Sequence, residues 1–487
     1  MKNRVLIDEF LRISSFPRPS GEEASLRNYL IENARQMGFA WKQDEAGNLV
    51  IFVPPTAGMK DLPGIILQAH MDMVCVAEGE SQYTSSPKPI RVIEKDGWLS
   101  AEGTSLGADN GIGCAMALCA VRDQDVCHGP LSLLFTVEEE VGMRGMNALS
   151  PDLIDDRARY AINLDFESEN HICIGCAGGL VVNAEAKLPT EACTTNENSL
   201  WHVCAHGVQG GHSGLEIDGR PLNLHQYLFR LLDELGARLV SYDGGNAVNS
   251  IPAGAEVVFA APKADDQRIT DTLTVQAASF PSMYLYPGGN PLLGFERLDN
   301  EGASECLSRD ETSHLARILT SLPNGVLSRH SELGGSLQSS SNLGYVRMSA
   351  NGHLQIGLAT RSDDDSEAAS LKHKVLTTLQ GLPNISLKLD EFPAWHPESE
   401  SALVRHIQGC RKGIFPSQAE LVSVHAGIEC GQLVSKRPGL QAISIGPDIT
   451  AVHTTKERAN VDSLGRVYEW LKVILNQAGK LDAQREK

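Results

Sequence analysis

Polar groups of one chemical kind recur where apolar runs end. His70 and Asp72 close the run GIILQAHMD, Asp109 and Asn110 stand in GADNG, and Glu138, Glu139 and Glu140 follow LSLLFTV. Asp165 ends YAINLD, and His453 follows SIGPDITAV near the C-terminus. Gathered without a partner, these carboxylates would repel one another, and burying them would cost several kcal/mol each or force them to take up protons. A bound cation removes the conflict. Imidazole and carboxylate ligands suit divalent zinc, manganese or cobalt, and no thiolate is needed. Two imidazoles and three carboxylates exceed what one tetrahedral ion uses. They suit two ions if one carboxylate bridges, which leaves other carboxylates to orient an imidazole or to move a proton.

Each residue taken singly has a plainer explanation. A histidine at a strand end is usually a hydrogen-bonded core or surface group, Asp109 could cap a helix, and three glutamates in a row usually face solvent. Asp165, beside Phe166-Glu167-Ser168-Glu169, could simply open a charged loop. Their joint occurrence at successive strand ends favours chemistry. A rival motif is Gly103-Thr104-Ser105-Leu106-Gly107, which has the form of a nucleophile elbow and would make Ser105 a nucleophile with His425 or His453 as base. That reading leaves Asp109, the glutamates and the His-x-Asp pair without a reason.

The elements that must hold these residues alternate in period. Ser20-Gly21-Glu22-Glu23 has capping-box form, and Leu26, Tyr29, Leu30, Ala34 and Met37 follow at helical spacing. Short apolar runs at 48–53, 64–70, 131–137 and 160–166 read as strands, and the small-residue segment 107–121 reads as a helix pressed on a sheet. Alternating strand and helix predict an α/β domain with a largely parallel sheet, whose ligands sit beyond the carboxyl ends of the strands. From residue 184 to 391 short alternating strands mix with amphipathic helices, which predicts an inserted α+β domain. The expected organisation is a catalytic domain of residues 1–183 and 392–487 interrupted by that insertion.

Composition excludes some partners. The chain has 487 residues, 42% hydrophobic and 21% charged, with a net charge of −19. Such acidity argues against a nucleic-acid or anionic-membrane partner. No segment approaches a membrane span, and Asp8, Glu9 and Arg12 interrupt the N-terminal apolar residues, so a cytoplasmic protein is expected. The 11 cysteines form no repeating frame, and Cys173 and Cys176, although spaced as CxxC, have no second pair to complete a zinc site.

The segments GTSLGADNGIG, Glu139-Glu140-Val141-Gly142, GCAGG (175–179), GGHSG (210–214), HAGIECG (425–431) and SIGP (444–447) resemble, in the same order, those of the di-zinc aminoacylase and dipeptidase superfamily. That superfamily includes carnosinases and glutamate carboxypeptidases, and the likeness is strongest to its bacterial aminoacyl-histidine dipeptidases. The resemblance implies two divalent metal ions, zinc first among them with manganese or cobalt as alternatives. His70 and Asp165 would hold one ion, Glu140 and His453 the other, and Asp109 would bridge, with a cis peptide after it. Asp72 would orient His70, and Glu139 would act as general base toward the attacking water.

The resemblance also implies that the insertion is a lid and dimerisation domain in which His212 stabilises the oxyanion. Asn249, Arg361 and Gly427 would line the substrate site, Arg361 gripping a C-terminal carboxylate. The implied reaction is hydrolysis of unblocked dipeptides, Xaa-His types such as β-alanyl-histidine included, by a cytoplasmic homodimer. An N-acyl amino-acid deacylase or a tripeptidase would use the same site. Two departures stand out: His453-Thr454-Thr455-Lys456-Glu457 where His-Ser-Pro and acidic residues are usual, and Asn249-Ser250-Ile251-Pro252 where the family has Asn-Ala-Ile-Pro. Neither removes a ligand.

Overall fold

The computed structural model describes all residues except 1–3, 79–88, 195, 220–221, 285–288, 299–302, 332 and 484–487. They form two units: Met1–Cys176 with Trp395–Val424 and Ile428–Lys487, and Ala177–Ala394 with His425–Gly427.

The first unit is built on an eight-stranded sheet. Its strands are β1 (Ala40–Gln43), β2 (Leu49–Val53), β3 (Gly64–His70), β4 (Leu131–Thr136), β5 (Ala158–Asn163), β6 (His171–Cys176), β7 (Glu420–Val424) and β8 (Gln441–Ser444). They lie in the order β1-β2-β4-β3-β5-β8-β6-β7. The central strands β4, β3, β5 and β8 pair in parallel, as do β6 and β7. Every residue of β3 and β4 is buried, as expected of parallel strands covered on both faces.

The helices of this unit that bear on the site are α1 (Ala24–Met37), α2 (Ala108–Arg122), α3 (Glu429–Lys436) and α4 (Val461–Asn476). Helix α2 is buried along nearly its whole length, and its glycines permit close approach. A Cβ on Gly113 would stand 2.7 Å from the carbonyl oxygen of Leu164.

The capping box expected before α1 does not form. Glu23 stands at the N-cap without a side-chain cap bond, and the Ser20 hydroxyl donates instead to Asp72 Oδ2 at 2.7 Å. Glu23 Oε1 accepts the N–H groups of Gly21 and Glu138 at 2.8 and 3.1 Å. A buried carboxylate and a buried loop each need partners more than an exposed helix end that water can satisfy.

The second unit carries a nine-stranded antiparallel sheet. Its strand Gly178–Lys187 pairs with both His353–Ser362 and Ser386–Phe392. The boundaries expected at 184 and 391 therefore fall inside two of its strands. The change of composition marks where the alternating pattern becomes visible, whereas the chain passes into this sheet directly after Cys176. Its helices, among them Leu224–Leu235 and Arg309–Ser321, pack on one continuous apolar core with the sheet. Helix Leu224–Leu235 starts where the Asn223 side chain accepts the His225 N–H at 3.0 Å, and it stops at Gly236, whose φ of 65° an L side chain would resist.

Candidate metal centre

The parallel strands of the first unit deliver their polar residues to one edge. Strand β3 ends on His70, Glu139 lies three residues past the end of β4, and Asp165 lies two past the end of β5. Asp109 is the second residue of α2, but its φ of −77° and ψ of 110° are not helical, and the peptide to Asn110 is cis. His453 follows β8 in a turn, with φ of 60°.

These residues converge. His70 Nε2 lies 2.9 Å from Asp109 Oδ1 and 3.3 Å from Asp165 Oδ1, and His453 Nε2 lies 3.1 Å from Asp109 Oδ2 and 2.9 Å from Glu140 Oε2. Both oxygens of Asp109 thus face an imidazole. Three overlapping groups among the described residues could hold an ion: His70 with Asp109 and Asp165, His70 with Glu139 and Glu140, and Asp109 with Glu140 and His453.

The arrangement of donors fits cations. His70 Nδ1 lies 3.1 Å from the Asp72 carbonyl oxygen and 3.3 Å from its Oδ1, which places the ring proton on Nδ1 and turns the Nε2 lone pair toward the carboxylates. Lone pairs facing anions repel unless a proton or a metal ion lies between them. Among the described residues Glu140 Oε1 is buried with no hydrogen-bond partner, an acceptor that a cation would satisfy.

Electrostatics at the centre point the same way. Hydrogen bonds to Asp109 and Glu140 push the His453 imidazole up to about 11. Burial lowers the pKa of His70, but Asp165, Asp109 and Asp72 outweigh it and hold the ring well above its usual value. Burial raises Asp109 too, yet the two imidazoles hold it well below the ordinary carboxylate range. Glu139 is raised well above its ordinary value by burial, with Asp165, Glu429 and Glu140 adding like charge. Protons on the imidazoles therefore balance the carboxylates, and divalent ions could replace them.

Beneath the ligands lies a polar layer that sequence reasoning missed. Gln68 in β3 donates to Glu429 Oε2, and Thr136 in β4 donates to the same oxygen at 2.8 Å. Asn163 in β5 donates to Gln68 Oε1 at 2.5 Å and accepts from Ser444 of β8 and from the Asp165 N–H, the latter at 3.2 Å. Burial, with Asp165 nearby, pushes the Glu429 carboxyl up to about 8. The available signal was a polar residue two positions before a ligand in β3 and β5, and three positions before Glu139 in β4.

The second unit groups other residues named from the sequence. His212 lies in a two-residue strand paired with Ser250–Ile251, and its N–H donates to Glu216 at 2.8 Å. Burial and the nearby Arg361 hold its imidazole below the usual value. Arg361, buried, ends the strand His353–Ser362 one residue from its terminus and lies over the Phe392 ring at 5.7 Å. A Cβ on Gly214 would stand about equally near His425 O, His212 Cε1 and Arg361 Cζ, at 2.9, 3.0 and 3.1 Å. Those three residues surround one glycine. Asn249 is exposed and accepts the Ser213 N–H at 2.8 Å through its backbone, while Gly427 is half-buried beside His425 in the chain.

Two motifs lose their chemical reading. The Ser105 hydroxyl is buried, donates to the Val74 carbonyl at 2.7 Å and accepts the Val76 N–H at 3.2 Å. It ties a loop and is not presented as a nucleophile. The two histidines considered as its base are engaged elsewhere, His425 Nε2 lying 2.7 Å from Ser340 Oγ and His453 facing Asp109 and Glu140. Cys173 and Cys176 are fully buried in β6, and burial pushes the Cys173 thiol up to about 12. That thiol is no ready nucleophile or ligand.

Comparison with known proteins finds relatives along nearly the whole chain. The chain is 32% identical over 482 residues to the cytosol non-specific dipeptidase of Escherichia coli K12, covering 97% of each. The crystal structure of aminoacylhistidine dipeptidase from Vibrio alginolyticus superposes with a TM-score of 0.84 at 26% identity, over 97% of this chain and 96% of that one. An aminopeptidase, PepT, from Bacillus cereus shares the fold, with a TM-score of 0.63 at 16% identity over 98% and 99% of the two chains. No helix among the described residues is long and apolar enough to cross a membrane. Residues 66–477 match the model of peptidase family M20/M25/M40, and the chain belongs to that metallopeptidase family.

Proposed function

We propose that the protein is a two-metal dipeptidase that hydrolyses unblocked dipeptides, including Xaa-His types such as β-alanyl-histidine. The observation that carries this reading is the placement of an imidazole on each oxygen of Asp109, with Asp165 beside one and Glu140 beside the other. His70 and Asp165 would hold one ion, Glu140 and His453 the second, and Asp109 both. Zinc suits this donor set, and manganese or cobalt could replace it. What divalent ions supply when bound is Lewis acidity, which polarises the scissile carbonyl and makes water a better acid.

The chain's own groups do the rest. Glu139, adjacent to a ligand and buried enough to favour holding a proton, takes one from the attacking water and delivers it to the leaving amine. Asp72 keeps His70 in one tautomer and one orientation. In the second unit, His212 donates to the developing oxyanion, and its lowered basicity suits an imidazole that acts by hydrogen bonding. Arg361 holds the substrate carboxylate, and Asn249 and Gly427 line the substrate site. The protein acts as a cytoplasmic homodimer on this reading, without nucleic-acid or membrane partners. An N-acyl amino-acid deacylase or a tripeptidase is the second reading, since the same machinery cleaves those amides.

The test is hydrolysis of β-alanyl-histidine and several ordinary dipeptides before chelation, after verified metal removal, and after restoring zinc, manganese or cobalt. Cleavage that vanishes and returns with metal supports the proposal. Undiminished cleavage by metal-free protein overturns it, and turnover only of N-acyl amino acids or tripeptides transfers the assignment to the second reading.

A further inference from the structure

Residues 106–109 are gripped from both sides by buried, oppositely charged side chains. Glu457 Oε2 accepts the N–H groups of Leu106 and Gly107 at 2.8 and 2.9 Å, and its Oε1 accepts those of Ala108 and Asp109 at 2.8 and 3.3 Å. On the other side, Arg18 Nη2 donates to the Gly107 carbonyl, while Nη1 donates to the carbonyls of Met71 and Asp72 at 3.0 and 2.9 Å. Gly107 thus gives its N–H to the carboxylate and its C=O to the guanidinium.

Neither charge is spent on a counter-ion. Arg18 is fully buried, Glu457 is 2% exposed, and no ion pair of either occurs among the described residues. Retaining two buried charges that pair only with backbone is expensive, so the backbone they hold must matter. The space is built for them as well. Gly107 has φ of 66°, and a Cβ there would come within 2.6 Å of Arg18 Nη2, as would one on Gly111.

The two side chains connect three of the segments that carry ligands. Glu457 lies four residues after His453, and its N–H closes a turn on the Thr454 carbonyl at 3.2 Å, so it joins the His453 loop to the Asp109 loop. Arg18 joins the segment just after His70 to that same loop. We infer that Arg18 and Glu457 are positioning residues that clamp residues 106–109 and so set the spacing between Asp109 and the two imidazoles. The inference rests on the proposed role of Asp109 as a metal ligand and deepens it.

The clamp acts on metal binding and not only on folding. Glu457→Gln keeps the size of the side chain but leaves one acceptor oxygen and sets an amide donor against backbone N–H groups. Arg18→Lys keeps the charge and loses the fork that reaches three carbonyls. Metal affinity is measured by chelator competition with zinc, coordination by the visible spectrum of the cobalt-loaded protein, and folding by thermal unfolding of the metal-free protein. The expected result is a roughly 10- to 100-fold weaker zinc affinity for Glu457→Gln, the scale found when outer hydrogen-bond partners of metal ligands are removed, with an altered cobalt spectrum. Arg18→Lys should fall in the same direction. Zinc affinity within twofold of wild type and an unchanged spectrum in both folded variants would overturn the clamp. If Glu457→Gln does not fold, Arg18→Lys decides by the same two readouts. Failure of the wild-type protein to bind any divalent ion would instead remove the proposed function, and the clamp with it.

Discussion

The carboxylate of Asp72 accepts the backbone N–H of Glu139 at 3.0 Å. Its other oxygen accepts the N–H of Glu140 at 3.2 Å and the hydroxyl of Ser20 at 2.7 Å, while Oδ1 also lies 3.3 Å from His70 Nδ1. One buried carboxylate therefore orients a candidate ligand and holds the segment that carries the candidate base and a second ligand. Asp72→Asn would turn an acceptor into a donor facing N–H groups. Zinc affinity should weaken by about 10- to 100-fold, with a fall in kcat, as chelator competition and steady-state kinetics would reveal.

Glu139→Ala removes the proposed base and none of the five ligands. Dipeptide turnover should fall by about 10²- to 10⁴-fold while metal analysis still finds two ions per chain. Near-normal turnover would reassign the base.

For His212→Ala, loss of an oxyanion donor should lower kcat by about 10²- to 10³-fold. Metal content should not change. An unaltered kcat would leave His212 a purely structural member of its short strand pair.

Ser105→Ala and chelation make opposite predictions. The Ser105 hydroxyl serves the Val74 and Val76 backbone, so its removal should cost about 1–3 kcal/mol of stability, measured by urea unfolding, and leave dipeptide turnover within a few-fold of wild type. Chelation should abolish turnover instead. A chelator-resistant activity that dies with Ser105 would reverse both assignments.

The second unit contains a pH-sensitive core group. His225 is fully buried, with Nδ1 2.7 Å from Tyr242 Oη, and burial lowers its pKa from 6.5 to about 4. Below pH 6.5 the unfolded chain therefore binds the proton that the folded one refuses. The stability this group contributes is complete above its unfolded pKa and declines as pH falls toward 4. Between pH 7 and pH 5 its share of the loss is about 2 kcal/mol. Urea unfolding of metal-free protein should show a shallower acid decline for His225→Gln than for wild type, and equal declines would refute the assignment.

Much of the centre is legible in the chain because ligand chemistry is written in residue type. Histidine and carboxylate at the ends of GIILQAH, LSLLFTV and YAINLD needed only the rule that parallel strands end on one edge, and β3, β4 and β5 obey it. The supporting residues were not legible in this way. Arg18 lies 89 positions from Gly107, Glu457 lies 348 from Asp109, and Glu429 lies 361 from Gln68.

Ser20 and Glu23 carry the pattern of a helix cap, yet tertiary structure turns both toward the Asp72 and Glu138 segments, because a buried acceptor or N–H has no access to water and a helix end does. Ser105 has the pattern of a nucleophile, yet folding assigns its hydroxyl to two backbone groups. By itself the sequence determined which groups could do chemistry and the period of the elements bearing them, since both depend on residue type and local spacing. Only the tertiary structure decided which polar groups meet, because burial makes each find a partner, and those partners lie tens to hundreds of residues away.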